Sequence, residues 1–161
     1  MRLSTRGLSL LKQWEGSSPR LYRDSAGLLT IGVGHLLTRA EISSGKILIN
    51  GSAVDVRNIG LTDAQTLKLL EQDIRPAEAA VNEGVALPRS LEQHQFDALV
   101  SFTFNVGVAA FLGSTLLKLL NKEQYDDVPV QLARWNKAGG RVVPGLVNRR
   151  TNEIMLWRNR L

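Results

Sequence analysis

Three residues within the first thirty carry oxygen side chains at a spacing suited to acid–base chemistry: Glu15, Asp24 and Thr30. Glu15 is expected in the last turn of a helix, immediately before Gly16. The negative end of the helix dipole disfavours an ionised carboxylate there. Trp14 beside it would add desolvation, which also raises a carboxyl pKa. A carboxylic acid kept protonated near neutral pH is what a general acid requires. Asp24 is its opposite: it follows Arg23 and precedes a glycine-containing turn, surroundings that favour the ionised form. Two carboxyl groups pushed apart in this way suit glycoside hydrolysis. Thr30 joins them by hairpin geometry. An odd loop centred on Gly27 makes positions 24 and 30 face each other, with Cβ atoms about 5 Å apart, and a hydroxyl beside a carboxylate can hold a water. Gly32 and Gly34, flanking Val33, would offer backbone open to close approach. The same residue types also describe a surface glutamate at a helix end and a turn aspartate. Residue types alone leave both readings open.

The elements that must position these residues follow from pattern. A helix is expected from about Ser4 to Glu15, capped by Ser4, with Leu8 and Leu11 on one face, stopped by Gly16 and Pro19. Residues 21–60 read as short antiparallel strands, with turn signals at Ser25-Ala26-Gly27 and Asn50-Gly51. Thr62-Asp63-Ala64-Gln65 matches a capping box, and Leu67, Leu70, Ile74, Ala77 and Val81 continue a helical stripe that Pro76 should kink or divide. Ser90-Leu91-Glu92-Gln93 matches the same box and opens a helix through Phe96, Leu99 and Val100 to near Gly107. Shorter helices are expected at about 114–122, 126–136 and 148–160, with Gly139-Gly140 and Pro144-Gly145 separating the last two. A small sheet followed by mostly helices is an α+β pattern.

Composition narrows the function classes. The chain of 161 residues is 43% hydrophobic and 22% charged, as expected of one globular domain. It has no cysteine and only two histidines, His35 and His94, which argues against a zinc site. The N-terminus lacks the apolar core of a signal peptide and no segment approaches a membrane span, so synthesis in the cytoplasm is expected. The net charge of +5 is uneven: residues 134–161 carry seven basic residues against Glu153 alone, and the remainder carries 13 basic and 14 acidic residues. Such a C-terminal excess suggests a polyanionic partner, or simply a solvated basic helix.

The stretch Trp14-Glu15-Gly16, Leu21-Tyr22-Arg23-Asp24 and Gly27-Leu28-Leu29-Thr30-Ile31-Gly32-Val33-Gly34-His35-Leu36-Leu37-Thr38 resembles the phage-type lysozymes, the endolysins of glycoside hydrolase family 24. The Glu-x8-Asp-x5-Thr spacing is that family's catalytic signature. Phe104-Asn105-Val106-Gly107, Phe111, Ser114-Thr115-Leu116-Leu117, Arg134-Trp135-Asn136-Lys137-Ala138-Gly139-Gly140, Pro144-Gly145-Leu146 and Arg149-Arg150 extend the resemblance, the last blocks being similar to lysozymes of lambdoid-like phages. Segment 41–60 carries little of it.

The resemblance implies a mostly helical, two-lobed α+β fold with a small antiparallel sheet in an N-terminal lobe of about residues 16–65. A linking helix at about 62–82 and a C-terminal lobe at about 83–161, joined by the N-terminal helix, complete it. The sugar chain would lie in a cleft between lobes. It implies hydrolysis of the β-1,4 bond between N-acetylmuramic acid and N-acetylglucosamine in peptidoglycan, with no metal or cofactor. Glu15 would be the general acid, Asp24 would handle the attacking water, and Thr30 would position that water. Leu36, Phe104 and Ser114 match cleft-lining positions, while Asn105 and Gln131 fall where the family has polar cleft residues of other types. Arg149 or Arg150 would pair with Glu15, and His35 with Asp73. His94 reads as a helix-face residue, and Trp135 and Trp157 as core aromatics before sugar platforms. A monomer released to the wall by a separate holin is the implied setting. Rival readings are a non-catalytic peptidoglycan- or polyanion-binding module, a nucleic-acid-binding domain, for which no recognisable motif is present, and a lytic transglycosylase, which would need neither Asp24 nor Thr30.

Overall fold

The computed structural model describes residues 1–86 and 90–161. In chain order the elements are α1 (Thr5–Glu15), β1 (Ser18–Arg23), β2 (Leu29–Gly32), β3 (His35–Leu36), α2 (Arg39–Ser44), β4 (Lys46–Ile49), β5 (Ser52–Asp55), α3 (Asp63–Asp73) and α4 (Arg75–Gly84). They continue with α5 (Gln93–Val106), α6 (Val108–Leu112), α7 (Thr115–Leu120), a 3-10 turn (Tyr125–Asp127), α8 (Val128–Ala133), β6 (Lys137–Ala138), β7 (Arg141–Val142) and α9 (Pro144–Trp157). Helices dominate, and the sheets are small and antiparallel, as the α+β pattern predicts. The chain forms two compact units: Leu8–Arg75, and Met1–Gly7 with Pro76–Leu161.

In the unit Leu8–Arg75, β1, β2 and β3 form one three-stranded sheet and β4 and β5 a separate hairpin. The Asn50-Gly51 turn closes that hairpin as its sequence predicts, with both residues at positive φ (50° and 84°) and Ile49 paired with Ser52. Alternation along Lys46–Ile49 turns Ile47 and Ile49 inward. They join Ile31, Leu37, Val56, Leu61 and Leu69 in one apolar cluster. At about 1.5–3 kcal/mol per fully buried side chain, this cluster is what orders the sheets. Thr62 caps α3 as expected: its hydroxyl accepts from the Gln65 amide, and the Gln65 side chain accepts from the Thr62 amide. In this unit the helix α2, opened by a second capping box at Thr38 and Glu41, was not anticipated.

In the other unit α5 is buried continuously from Phe96 to Thr103. A helix covered on all sides must be nearly all apolar or fully satisfied. Its one buried charge, Asp97, accepts hydrogen bonds from the Ser4 amide at 3.0 Å, the Ser4 hydroxyl and Gln93 Nε2 at 2.8 Å. Ser4 in turn accepts from the Gly7 amide at 2.9 Å and caps α1, as read from sequence. Phe96, Leu99 and Phe102 are core residues, and Trp157 is buried with them. Trp135 is half-buried, edge-on to Phe102 with centroids 5.4 Å apart.

Three boundaries differ from expectation. Ser90 does not cap α5; its hydroxyl meets the Tyr125 hydroxyl at 2.8 Å. The helix begins at Gln93, with the Glu92 amide donating to the Gln95 side chain, because a second, overlapping pattern two residues on wins. Pro144 does not precede the last helix but opens it, its missing N–H costing nothing in the first turn. Gly139-Gly140 is the turn of a hairpin, β6–β7, rather than a plain break between helices, and the segment after Gly107 forms the unanticipated α6. Pro76 does divide the second helical stretch, into α3 and α4.

Candidate active site

Glu15 is the last residue of α1, and Gly16 follows at φ +72°, the left-handed stop. Lys12 is the one basic residue in that final turn. The side chain of Glu15 is exposed and Trp14 only half-buried, so the desolvation expected from Trp14 is not what surrounds this carboxyl.

Asp24 begins the connection between β1 and β2. Its amide donates to the Leu28 carbonyl at 2.9 Å, and its carbonyl accepts from the Gly27 amide at 2.9 Å. The loop is therefore Ser25-Ala26-Gly27, with Gly27 at φ +78° in its last position, a turn followed by a left-handed residue. This overturns the expected register. The loop centre is Ala26, not Gly27, and Thr30 faces Tyr22 rather than Asp24. Asp24 and Thr30 are diagonal neighbours on the ribbon, a spacing of about 7–8 Å between backbones.

The Asp24 carboxylate is held by its own turn. Oδ1 accepts from the Ala26 amide at 2.9 Å and the Leu28 amide at 2.8 Å. Arg23 Nη1 donates to the Gly27 carbonyl at 2.7 Å and closes the same loop from outside. Thr30 is buried, and its hydroxyl donates to the Leu28 carbonyl at 3.0 Å. The main chain of Leu28 thus ties both side chains. With its proton committed to Leu28, the Thr30 hydroxyl presents lone pairs. With Oδ1 saturated by two amides, Oδ2 is the oxygen of Asp24 left to accept a proton.

Gly32 and Gly34 serve the β2–β3 turn. Val33 between them is buried, and the Gly32 α-carbon packs toward Leu61 and Leu69, with a hypothetical Cβ 3.5 Å from each. Gly32 is therefore packed against rather than open to approach, whereas Gly34 is exposed with open space where a Cβ would stand. Beyond the turn, His35 pairs with Asp73 as expected: Nδ1 lies 2.9 Å and 3.1 Å from the two carboxylate oxygens. Nε2 lies 3.4 Å from Glu41, a partner the sequence reading missed although Thr38-x-x-Glu41 is a legible capping pattern. Burial pushes the imidazole down, but Asp73 and Glu41 outweigh it and hold His35 above its ordinary value of 6.5.

The remaining candidates fall into two sets. Leu36, 50% exposed, lies on β3 in the same unit as Glu15, Asp24 and Thr30, cross-strand from Thr30. Phe104, Asn105, Ser114 and Gln131 belong to the other unit. Phe104 is half-buried and Asn105 exposed near the C-terminus of α5. The Asn105 side-chain oxygen Oδ1 accepts from Arg150 Nη2. Ser114 is buried and its hydroxyl accepts from the Leu117 amide at 3.0 Å, capping α7. Gln131 is half-buried and its side-chain carbonyl meets Arg134 at 3.5 Å.

In the unit that holds Pro76–Leu161, α9 carries a buried charge cluster. Glu153, 0% exposed, lies 3.0 Å from both Arg149 and Arg150 and accepts from the Ser101 hydroxyl at 2.8 Å. Burial pushes its carboxyl up, opposed by the two guanidiniums. Arg150 also stands over the Phe102 ring at 5.0 Å. Among the described residues, no group of His, Asp and Glu is placed to hold a metal ion. His94 sits at the start of α5 with Nε2 at 3.0 Å from Glu92.

Residues 12–153 match the family model described as phage lysozyme. The endolysin of Salmonella phage P22 is 37% identical over 139 residues, covering 86% of each chain. The endolysin of Bacillus phage PZA is 38% identical over 98% of this chain, which spans about half, 55%, of that relative's length. Among solved structures, an endolysin from Escherichia coli O157:H7 phage FAHEc1 superposes with a TM-score of 0.81 at 32% identity, covering 100% of this chain and 96% of that one.

Proposed function

The chain belongs to the phage lysozyme family, and on that premise we propose that Glu15, Asp24 and Thr30 carry out its hydrolysis of bacterial peptidoglycan. The bond is the β-1,4 link from N-acetylmuramic acid to N-acetylglucosamine. The observation that carries the assignment is the polarity of the β1–β2 turn, in which Leu28 takes the Thr30 proton and the Ala26 and Leu28 amides take Asp24 Oδ1.

A water between Asp24 Oδ2 and the Thr30 hydroxyl donates one proton to each, and its lone pair is aimed at the anomeric carbon. As the water oxygen bonds to that carbon, its proton passes to Asp24, the glycosidic C–O bond breaks, and Glu15 gives its proton to the leaving oxygen. A water between base and sugar is the arrangement of an inverting enzyme. The diagonal offset of Asp24 and Thr30 suits such a water better than a direct cross-strand contact does.

Leu36, Phe104, Asn105, Ser114 and Gln131 are assigned to the sugar chain, with Ser114 acting through its cap on α7. The finer setting we propose is a monomer made in the host cytoplasm and released to the wall by a separate holin; co-expression with and without a holin tests the release. Glu15→Gln tests the acid. The amide keeps the size but has no proton to give, so the folded variant should lose wall lysis, by about 10²-fold or more. Clearing of a wall suspension at the wild-type rate by a variant with native melting behaviour removes Glu15 from the mechanism.

A further inference from the structure

The helix α2 has no apolar anchor. None of Arg39–Ser44 is buried, and its one large apolar side chain, Ile42, is 45% exposed. A helix this short does not stand alone in water. What holds it must act at its ends, and both ends are polar.

At the C-terminal end the Gly45 amide donates to the Glu41 carbonyl at 2.8 Å, and the Arg57 guanidinium donates to the Ile42 and Ser43 carbonyls. At the N-terminal end Glu41 Oε2 accepts from the Thr38 amide at 2.8 Å and the Thr38 hydroxyl at 2.9 Å. The same oxygen lies 3.4 Å from His35 Nε2, while the opposite ring nitrogen faces Asp73. His35 and Glu41 are 13% and 19% exposed, so water screens the contact only in part.

Two carboxylates on two ring nitrogens require two N–H donors, which only the imidazolium has. The charges that face the ring are Asp73 from α3 and Glu41 from α2; β2, paired with β3, contributes no ionisable side chain. When the ring loses a proton, Asp73 keeps the one on Nδ1, since both its oxygens lie closer. Nε2 then turns a lone pair toward Glu41, and attraction becomes repulsion at the carboxylate that closes the cap of α2.

We propose that His35 and Glu41 form a pH-sensitive latch on α2, closed while His35 is charged and opening the first turn of the helix when it is not. The sign follows from linkage. The latch contributes fully below 6.5 and is lost as pH rises through the higher value that His35 has in the folded chain. This stands apart from the lysozyme reading, because neither residue belongs to the proposed catalytic set.

The test is NMR of the full chain from pH 5.5 to 9, following the His35 ring and the backbone carbon shifts of residues 39–44 together. The helical shifts of α2 should decline with the midpoint of His35 itself, the open-to-closed ratio rising about two- to fivefold, as expected of a long ion pair that water partly screens. Glu41→Gln keeps the capping oxygen without the charge and should abolish the step. His35→Gln should do the same and serves if the first variant folds poorly. An α2 that stays unchanged through the His35 titration, or a step that survives in either variant, overturns the latch. Activity is not read, so the outcome is separate from that of the Glu15 experiment.

Discussion

At the scale of single residues, the proposed chemistry depends on how protons are committed by the main chain. Asp24→Asn separates structure from catalysis at this point. The carboxamide oxygen still accepts from Ala26 and Leu28, so the turn should persist. The proposed base is lost, and turnover should fall by about 10²–10⁴-fold with the melting temperature nearly unchanged. Hydrolysis rates on purified walls beside a thermal melt check both halves. Spacing and resemblance single out Glu15, Asp24 and Thr30 as the candidates, but their mutual geometry was not legible in the sequence. A glycine in a three-residue loop stands as well at its centre as at its end, and the two choices shift every pairing by one step. Only the hydrogen bonds from the Gly27 amide to the Asp24 carbonyl and from the Asp24 amide to the Leu28 carbonyl decide. The exposure of Glu15 was equally hidden, since sequence gives neighbours along the helix and not what covers its end.

At the scale of elements, capping patterns carried much of the fold. Thr62-x-x-Gln65 was read correctly, and Thr38-x-x-Glu41 has the same form but lies in a stretch dominated by strand signals, so α2 went unseen. Ser90-x-x-Gln93 misled because Glu92 and Gln95 satisfy the helix start two residues later. Pairing between elements was beyond reach: α9 is tied to α5 through Glu153, Arg149 and Ser101, residues far apart in sequence. Glu153→Ala tests that tie. Removing the carboxylate takes away a counter-charge that two buried guanidiniums share and should cost about 3–5 kcal/mol. Denaturant unfolding is the measurement, and a loss well under 1 kcal/mol would show that the cluster is replaceable.

At the scale of the molecule, the structure refines the meaning of the basic C-terminus. Arg149 and Arg150 are buried against Glu153, which leaves Arg134, Lys137, Arg141, Arg158 and Arg160 exposed in residues 134–161 with no exposed acid among them. Attraction of an anionic wall through such charges is screened over about 8 Å at physiological ionic strength. Arg158→Gln with Arg160→Gln should therefore slow lysis of whole walls and flatten its dependence on salt, with little effect on a short uncharged oligosaccharide. Equal losses on both substrates would assign those residues a structural part instead. The central claim is that the chain adds water across the glycosidic bond from the face held by Asp24 and Thr30. The direct measurement is early NMR of a wild-type digest of purified peptidoglycan. The account predicts new reducing N-acetylmuramic acid ends that appear first as the α-anomer; ends that appear first as the β-anomer, or an anhydro sugar with no reducing end, would contradict it.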